Sequence, residues 1–94
     1  MYGTVAKTRV KPENREKLRK VFEGQAYETV PGFVSSHILW ENDGDVAWMI
    51  AMFEDRASYE NNADDPKQHE RYLEYRDLLE EEPEWHDGEI EKGG

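Results

Sequence analysis

The chain has no cysteine among its 94 residues. That excludes disulfides, thiolate metal sites and a cysteine nucleophile. It is also poor in apolar residues, at 36%. No apolar run approaches the roughly 18–20 residues of a spanning helix. Basic residues are scarce, with 12 Lys and Arg against 22 Asp and Glu, a formal net charge of −10. Such a surface repels phosphate backbones and anionic lipid heads, so neither nucleic acid nor a membrane is expected as a partner. No Gly-rich phosphate loop is present, and no serine stands in a nucleophile-elbow context. The three histidines lack a metal spacing such as His-x₃-His and have no thiolate to help them. Neither a cofactor nor a metal is therefore expected. Met1-Tyr2-Gly3-Thr4-Val5 lacks a basic region followed by an apolar one, which makes the cytoplasm the expected compartment.

A chain of this length reads as one domain spanning residues 1–94, with a loose tail over 92–94. Residues 2–10 alternate loosely, with Tyr2, Thr4, Ala6, Thr8 and Val10 on one side, and read as a first strand. Pro12 and Glu13 suit the start of a helix. Leu18, Val21, Phe22 and Gln25 continue it at helical spacing to about residue 26. Pro31-Gly32 launches a second strand over 33–41. Asn42-Asp43-Gly44-Asp45 turns it into a third over 46–54. Asp55 caps a short helix with Ser58 in support. Pro66 interrupts that pattern, and a longer helix follows over 67–80, with Tyr72, Tyr75 and Leu79 on its inner face. A last strand over 84–91 carries Trp85, His86 and Ile90.

The order strand, helix, hairpin, helices, strand predicts an α+β domain with helices on one face of an antiparallel sheet. The third strand is apolar on both sides, with Val46, Trp48, Ile50 and Met52 against Ala47, Met49, Ala51 and Phe53. Such a strand is covered twice. The chain's own helices can cover one side, and a small core gains from pairing, so a second copy is expected on the other.

The Pro31-Gly32-Phe33 approach to the second strand, the strand ending Met52-Phe53-Glu54-Asp55, and Ala57-Ser58-Tyr59 with Asp65-Pro66 resemble the antibiotic biosynthesis monooxygenase family. That family lies within the dimeric α+β barrel superfamily. The resemblance implies a ferredoxin-like, four-stranded antiparallel sheet, a homodimeric barrel, and a ligand pocket between each sheet and its helices. It also implies cofactor-independent oxygenation of a small aromatic or quinol. A haem-degrading branch of the superfamily uses an asparagine on the first strand, near Thr8 here. That branch uses a tryptophan near the place of Asn62, so haem degradation is disfavoured. Two histidines frequent in the family are replaced here by Asn62 and by the Asp65-Pro66-Lys67 run. Their absence keeps a non-catalytic small-molecule binder or stress-related accessory protein on the same fold as the alternative.

On these grounds the candidate catalytic residues are His69 as proton acceptor, with Asn62 and Tyr72 as hydroxyl or oxyanion partners. The candidate ligand-binding residues are Trp48, His37, Tyr59 and Thr8. His37 either lines the pocket or hydrogen-bonds at a barrel interior or interface. His69 either shuttles protons or is an exposed residue of an acidic helix. Trp40, Trp48, Tyr59, Tyr72 and Tyr75 supply either core packing or a flat slot for a planar ring. His86, beside Asp87, reads as a surface residue.

Overall fold

In the computed structural model, residues 1–24, 29–42 and 44–93 are described. Gln25, Asp43 and the end of the tail, on which parts of the sequence reading fell, lie outside them. Four strands, β1 (Tyr2–Arg9), β2 (Phe33–Trp40), β3 (Val46–Phe53) and β4 (Glu84–Glu89), form one antiparallel sheet in the order β2-β3-β1-β4. Three helices, α1 (Arg15–Gly24), α2 (Arg56–Ala63) and α3 (Pro66–Arg76), accompany it. This is the α+β arrangement expected from the order of elements, and the ferredoxin-like sheet that the family resemblance implies.

The register decides which side chains face the helices. Thr4 lies opposite Ala51, Ala6 opposite Met49 and Thr8 opposite Ala47. Thr4, Ala6, Thr8, Ala47, Met49 and Phe53 are all buried. Leu18 of α1, Tyr75 of α3 and Leu79 close over Ala6, Val10, Ala47 and Met49 to make the core. The opposite parity carries Val5, Lys7, Ser35, His37, Leu39, Trp48, Ile50 and Met52. No element of the described chain covers that side, and Leu39 is 50% exposed there.

Local signals explain the helix starts. The Asp55 carboxylate accepts from the Ser58 amide at 2.8 Å, and the Asp65 carboxylate accepts from the Lys67 amide at 2.9 Å. The charge-stabilising Ser58 amide holds the Asp55 carboxyl below its ordinary range. Pro66 occupies the first turn of α3, where its missing N–H costs nothing.

Two boundaries differ from the sequence reading by three residues or more. The first helix begins as a 3₁₀ turn over Pro12–Asn14 and becomes α-helical at Arg15. The long helix ends at Arg76 rather than Glu80. Leu79 still reaches the core, but through a turn that pairs it with Val10. Its spacing from Tyr75 mimicked a helical continuation.

Gly32 joins two layers. Its φ of +78° is a left-handed conformation, and a Cβ built there would stand 2.2 Å from the Ser58 hydroxyl oxygen. Its carbonyl accepts from the Glu54 amide at 2.7 Å, tying the start of β2 to the segment that enters α2. Gly32→Ala is therefore expected to cost about 2 kcal/mol. For a domain of this size that is roughly 8–16 °C in Tm. Thermal unfolding followed by circular dichroism checks this.

Candidate functional site

A cavity of about 320 Å³ opens between the sheet and the helices. Its apolar wall is Phe22, Met49, Phe53, Tyr75 and Trp85. Its polar lining is Thr4, Ser36, Tyr59, Asn62, Gln68, His69 and Tyr72. Small-molecule sites commonly have this make-up, a mostly apolar wall with a few converging polar groups.

The α2–α3 junction brings three of these residues together. Asn62 lies in the last turn of α2, and the Asp65 amide donates to its carbonyl at 3.1 Å. That tight link, followed by the Asp65 cap, sets Gln68 and His69 in the first turn of α3. The Asn62 side-chain amide donates to Gln68 Oε1 at 3.2 Å, and Arg71 donates to the same oxygen at 3.3 Å. Asn62 keeps its second amide hydrogen for a ligand oxygen. The exposed His69 ring lies 6.4 Å from the Tyr72 ring at the edge of the cavity.

Two tyrosines are fixed by carboxylates next to or on β4. Tyr59 packs edge-on against Phe53, with ring centroids 5.6 Å apart, and its hydroxyl donates to Asp87 at 2.9 Å. Burial, and then the Asp87 carboxylate, push the Tyr59 phenol up to about 12. Tyr72 packs edge-on against Tyr75 at 5.5 Å and lies 6.4 Å from Trp85. Its hydroxyl donates to Glu82, which Arg76 holds from the other side at 2.7 Å. Burial and Glu82 raise the Tyr72 phenol, while the Tyr72 hydroxyl and Arg76 lower the Glu82 carboxyl. Both shifts keep the proton on the phenol and the charge on the carboxylate.

The structure thus gathers Tyr59, Asn62, His69 and Tyr72 around one cavity. Three other expected lining residues lie elsewhere. Trp48 points to the uncovered face, where the Lys7 amine lies 5.9 Å from its ring and its indole N–H donates to Glu41. His37, opposite Ile50, shares that face. Strand alternation assigns two faces but not which one the helices cover, and β3, apolar on both, gave no cue. Thr8 faces the helices but is buried away from the cavity, its hydroxyl donating to the Ala47 carbonyl at 2.7 Å. Thr4, two steps along the same side, lines the cavity instead. His86 lies on the uncovered side, 3.4 Å from Glu84.

The sequence reading missed Trp85 and Gln68 as lining residues, and Glu82 and Asp87 as supports. Alternation along β4 puts Trp85 and Asp87 on one side, a signal that was present. Among the described residues, no group of three His, Cys, Asp or Glu is placed to hold a metal ion. No described helix is long and apolar enough to cross a membrane.

This sheet, with its helix-covered cavity, is a ferredoxin-like α+β architecture. The sequence profile of the antibiotic biosynthesis monooxygenase family matches residues 1–74, and the chain belongs to that family. Similar solved structures include a monooxygenase of Streptomyces coelicolor in complex with nanaomycin D. It is 24% identical with a TM-score of 0.84, over 98% of this chain and 88% of that one. SnoaB, a cofactor-independent oxygenase from Streptomyces nogalater, is 21% identical with a TM-score of 0.83, over 98% and 94%. A conserved protein of Methanosarcina mazei is 18% identical with a TM-score of 0.81, over 96% and 92%. At these identities the likeness is one of fold. No curated protein matches the chain significantly.

The raised Tyr59 phenol has a visible consequence. A group whose folded pKa lies above its unfolded value of 10.0 contributes stability that is complete below that pH. The contribution is lost as the pH climbs from 10.0 to about 12. Tyrosinate absorbance is expected to show Tyr72 titrating late as well as Tyr59, whose phenol ionises only near about 12. Asp87→Asn should bring Tyr59 only partway back, because burial is the larger cause.

Proposed function

We propose that this chain is a homodimeric, cofactor-independent monooxygenase-type domain acting on a small phenol or quinol. The observation that carries the reading is the convergence of Asn62, His69, Tyr59 and Tyr72 on one aromatic-walled cavity. The two Streptomyces structures, a monooxygenase in complex with nanaomycin D and a cofactor-independent oxygenase, support it by analogy of fold.

In this reading a planar ring enters between Trp85, Phe53 and Tyr75. His69 takes the phenol proton, and the second Asn62 amide hydrogen steadies the oxyanion. The phenolate then supplies the electrons that reduce O₂, forming a carbon–oxygen bond to the ring. Protonation of that peroxide by the imidazolium and loss of water leave a quinone. One oxygen atom stays on the ring and the other leaves as water, so no external reductant enters the balance. Tyr72 acts here as a hydroxyl acceptor, because its own proton goes to Glu82.

The exposure of His69 favours a second reading, a binder without turnover. Oxygen uptake with a panel of naphthols and quinols separates the two. Under the enzyme reading, His69→Ala lowers turnover by roughly 10²–10⁴-fold with binding largely kept. Ligand binding with no oxygen uptake at any pH supports the binder.

The uncovered sheet face, with Trp48, Ile50, Met52 and Leu39, supports a homodimer closed across it. Sedimentation at micromolar concentration is expected to give a dimer. Leu39→Glu should shift it to monomer, because it places a charge on a face that the partner must desolvate.

A further inference from the structure

Four of the hydrogen-bonding groups around the cavity have already given a proton to the protein itself. Tyr59 donates to Asp87, Tyr72 to Glu82, Thr4 to the His86 carbonyl at 3.3 Å, and Asn62 to Gln68. A phenol or alcohol has one hydrogen and two lone pairs. Once the hydrogen is committed, only lone pairs remain for a ligand. Tyr59, Tyr72 and Thr4 all lie on the side bounded by β4, where Trp85 stands between residues 82 and 87. That side therefore offers acceptors. The remaining donors, the Ser36 hydroxyl, the Gln68 amide, a ring N–H of His69 and the second Asn62 hydrogen, belong to β2 and the α2–α3 junction.

We infer that Glu82 and Asp87 are specificity-determining residues, which orient Tyr72 and Tyr59 as acceptors so that the cavity retains a hydroxyl-bearing aromatic and releases its quinone. Neither carboxylate lines the cavity, so both act through the tyrosines as positioning residues. A hydroquinone presents hydrogens to this wall and satisfies the phenol oxygens. A quinone presents only lone pairs, which meet the lone pairs of the Tyr59 and Tyr72 oxygens, a mismatch that sites discriminate. Arg76, on the far side of Glu82, keeps that carboxylate charged and in place. Since the reaction proposed above turns a donor into an acceptor, the same wall that holds the substrate rejects the product.

The inference rests on the reading that the cavity takes a small aromatic, and the test separates the two. Naphthohydroquinone and naphthoquinone are titrated anaerobically against the intact protein, with tryptophan fluorescence as readout. The chain has no cysteine for the quinone to alkylate. The hydroquinone is expected to bind about tenfold tighter or more. In the Glu82→Ala, Asp87→Ala double variant the tyrosine hydrogens turn to the ligand, so quinone affinity rises and the preference shrinks. In Tyr59→Phe, Tyr72→Phe the hydroquinone loses affinity while the quinone changes little. A merely structural role for the carboxylates would weaken both ligands together. Equal or tighter quinone binding by the wild type overturns this inference alone. So does an unchanged preference in the folded carboxylate variant. Failure of both ligands to bind overturns it together with the aromatic-site reading. Hydroquinone preference without oxygen uptake supports it while removing the enzymatic reading.

Discussion

The small side chains at the middle of the sheet are the constraint on which the rest depends. Thr4, Ala6, Thr8, Ala47 and Ala51 occupy the helix-facing side of β1 and β3. None is large enough to fill the space beneath the helices. Around Ala6 and Ala47, Leu18 and Tyr75 come down from above and all four side chains are buried. At the Thr4–Ala51 end the large groups are the rings of Tyr59, Tyr72 and Trp85, and these stand around the space rather than over it. One sheet surface thus yields a buried core and an open cavity side by side, with Met49 and Tyr75 bordering both.

The polar groups follow from that arrangement. Rings held upright by edge-on contacts, Tyr59 on Phe53 and Tyr72 on Tyr75, carry their hydroxyls toward β4. A hydroxyl that is half-buried needs a partner, and Asp87 and Glu82 supply one each. The two short helices matter for a different reason. Each begins at an aspartate cap, and the Asn62 carbonyl lies within hydrogen-bond reach of the Asp65 amide, so the amide of one helix and the imidazole of the next share a rim.

Much of this was legible in the residues. Asp55 with Ser58, Asp65 with Pro66, and the Pro31-Gly32 turn are local devices, and each stands where its chemistry put it. The convergence of Asn62, His69 and Tyr72 was also accessible, because it depends on spacing within two consecutive helices. What escaped was long-range. Leu79 fits a helical stripe with Tyr72 and Tyr75, yet a turn delivers it to Val10, and periodicity does not distinguish the two routes. Trp48 is a cavity candidate only because β3 is apolar on both surfaces, and alternation along β2 leaves His37 open between the pocket and an interface. The sidedness is encoded instead in β1, where threonines and alanine alternate with Lys7 and Arg9. Glu82 and Asp87 were indistinguishable from solvated acids, since their role arises only when β4 returns beside β1.

The acidic rim also bears on how ligands arrive. Glu82 and Asp87 are exposed at the side of the cavity and belong to a chain of net charge −10. An aromatic carboxylate or sulfonate approaching that side meets a repulsive field, which slows its encounter before any contact forms. Salt relaxes the barrier, with a screening length of about 8 Å at physiological ionic strength. A neutral phenol approaches without it. Encounter kinetics therefore sort ligands by charge ahead of shape, and the sorting is sharpest in dilute buffer.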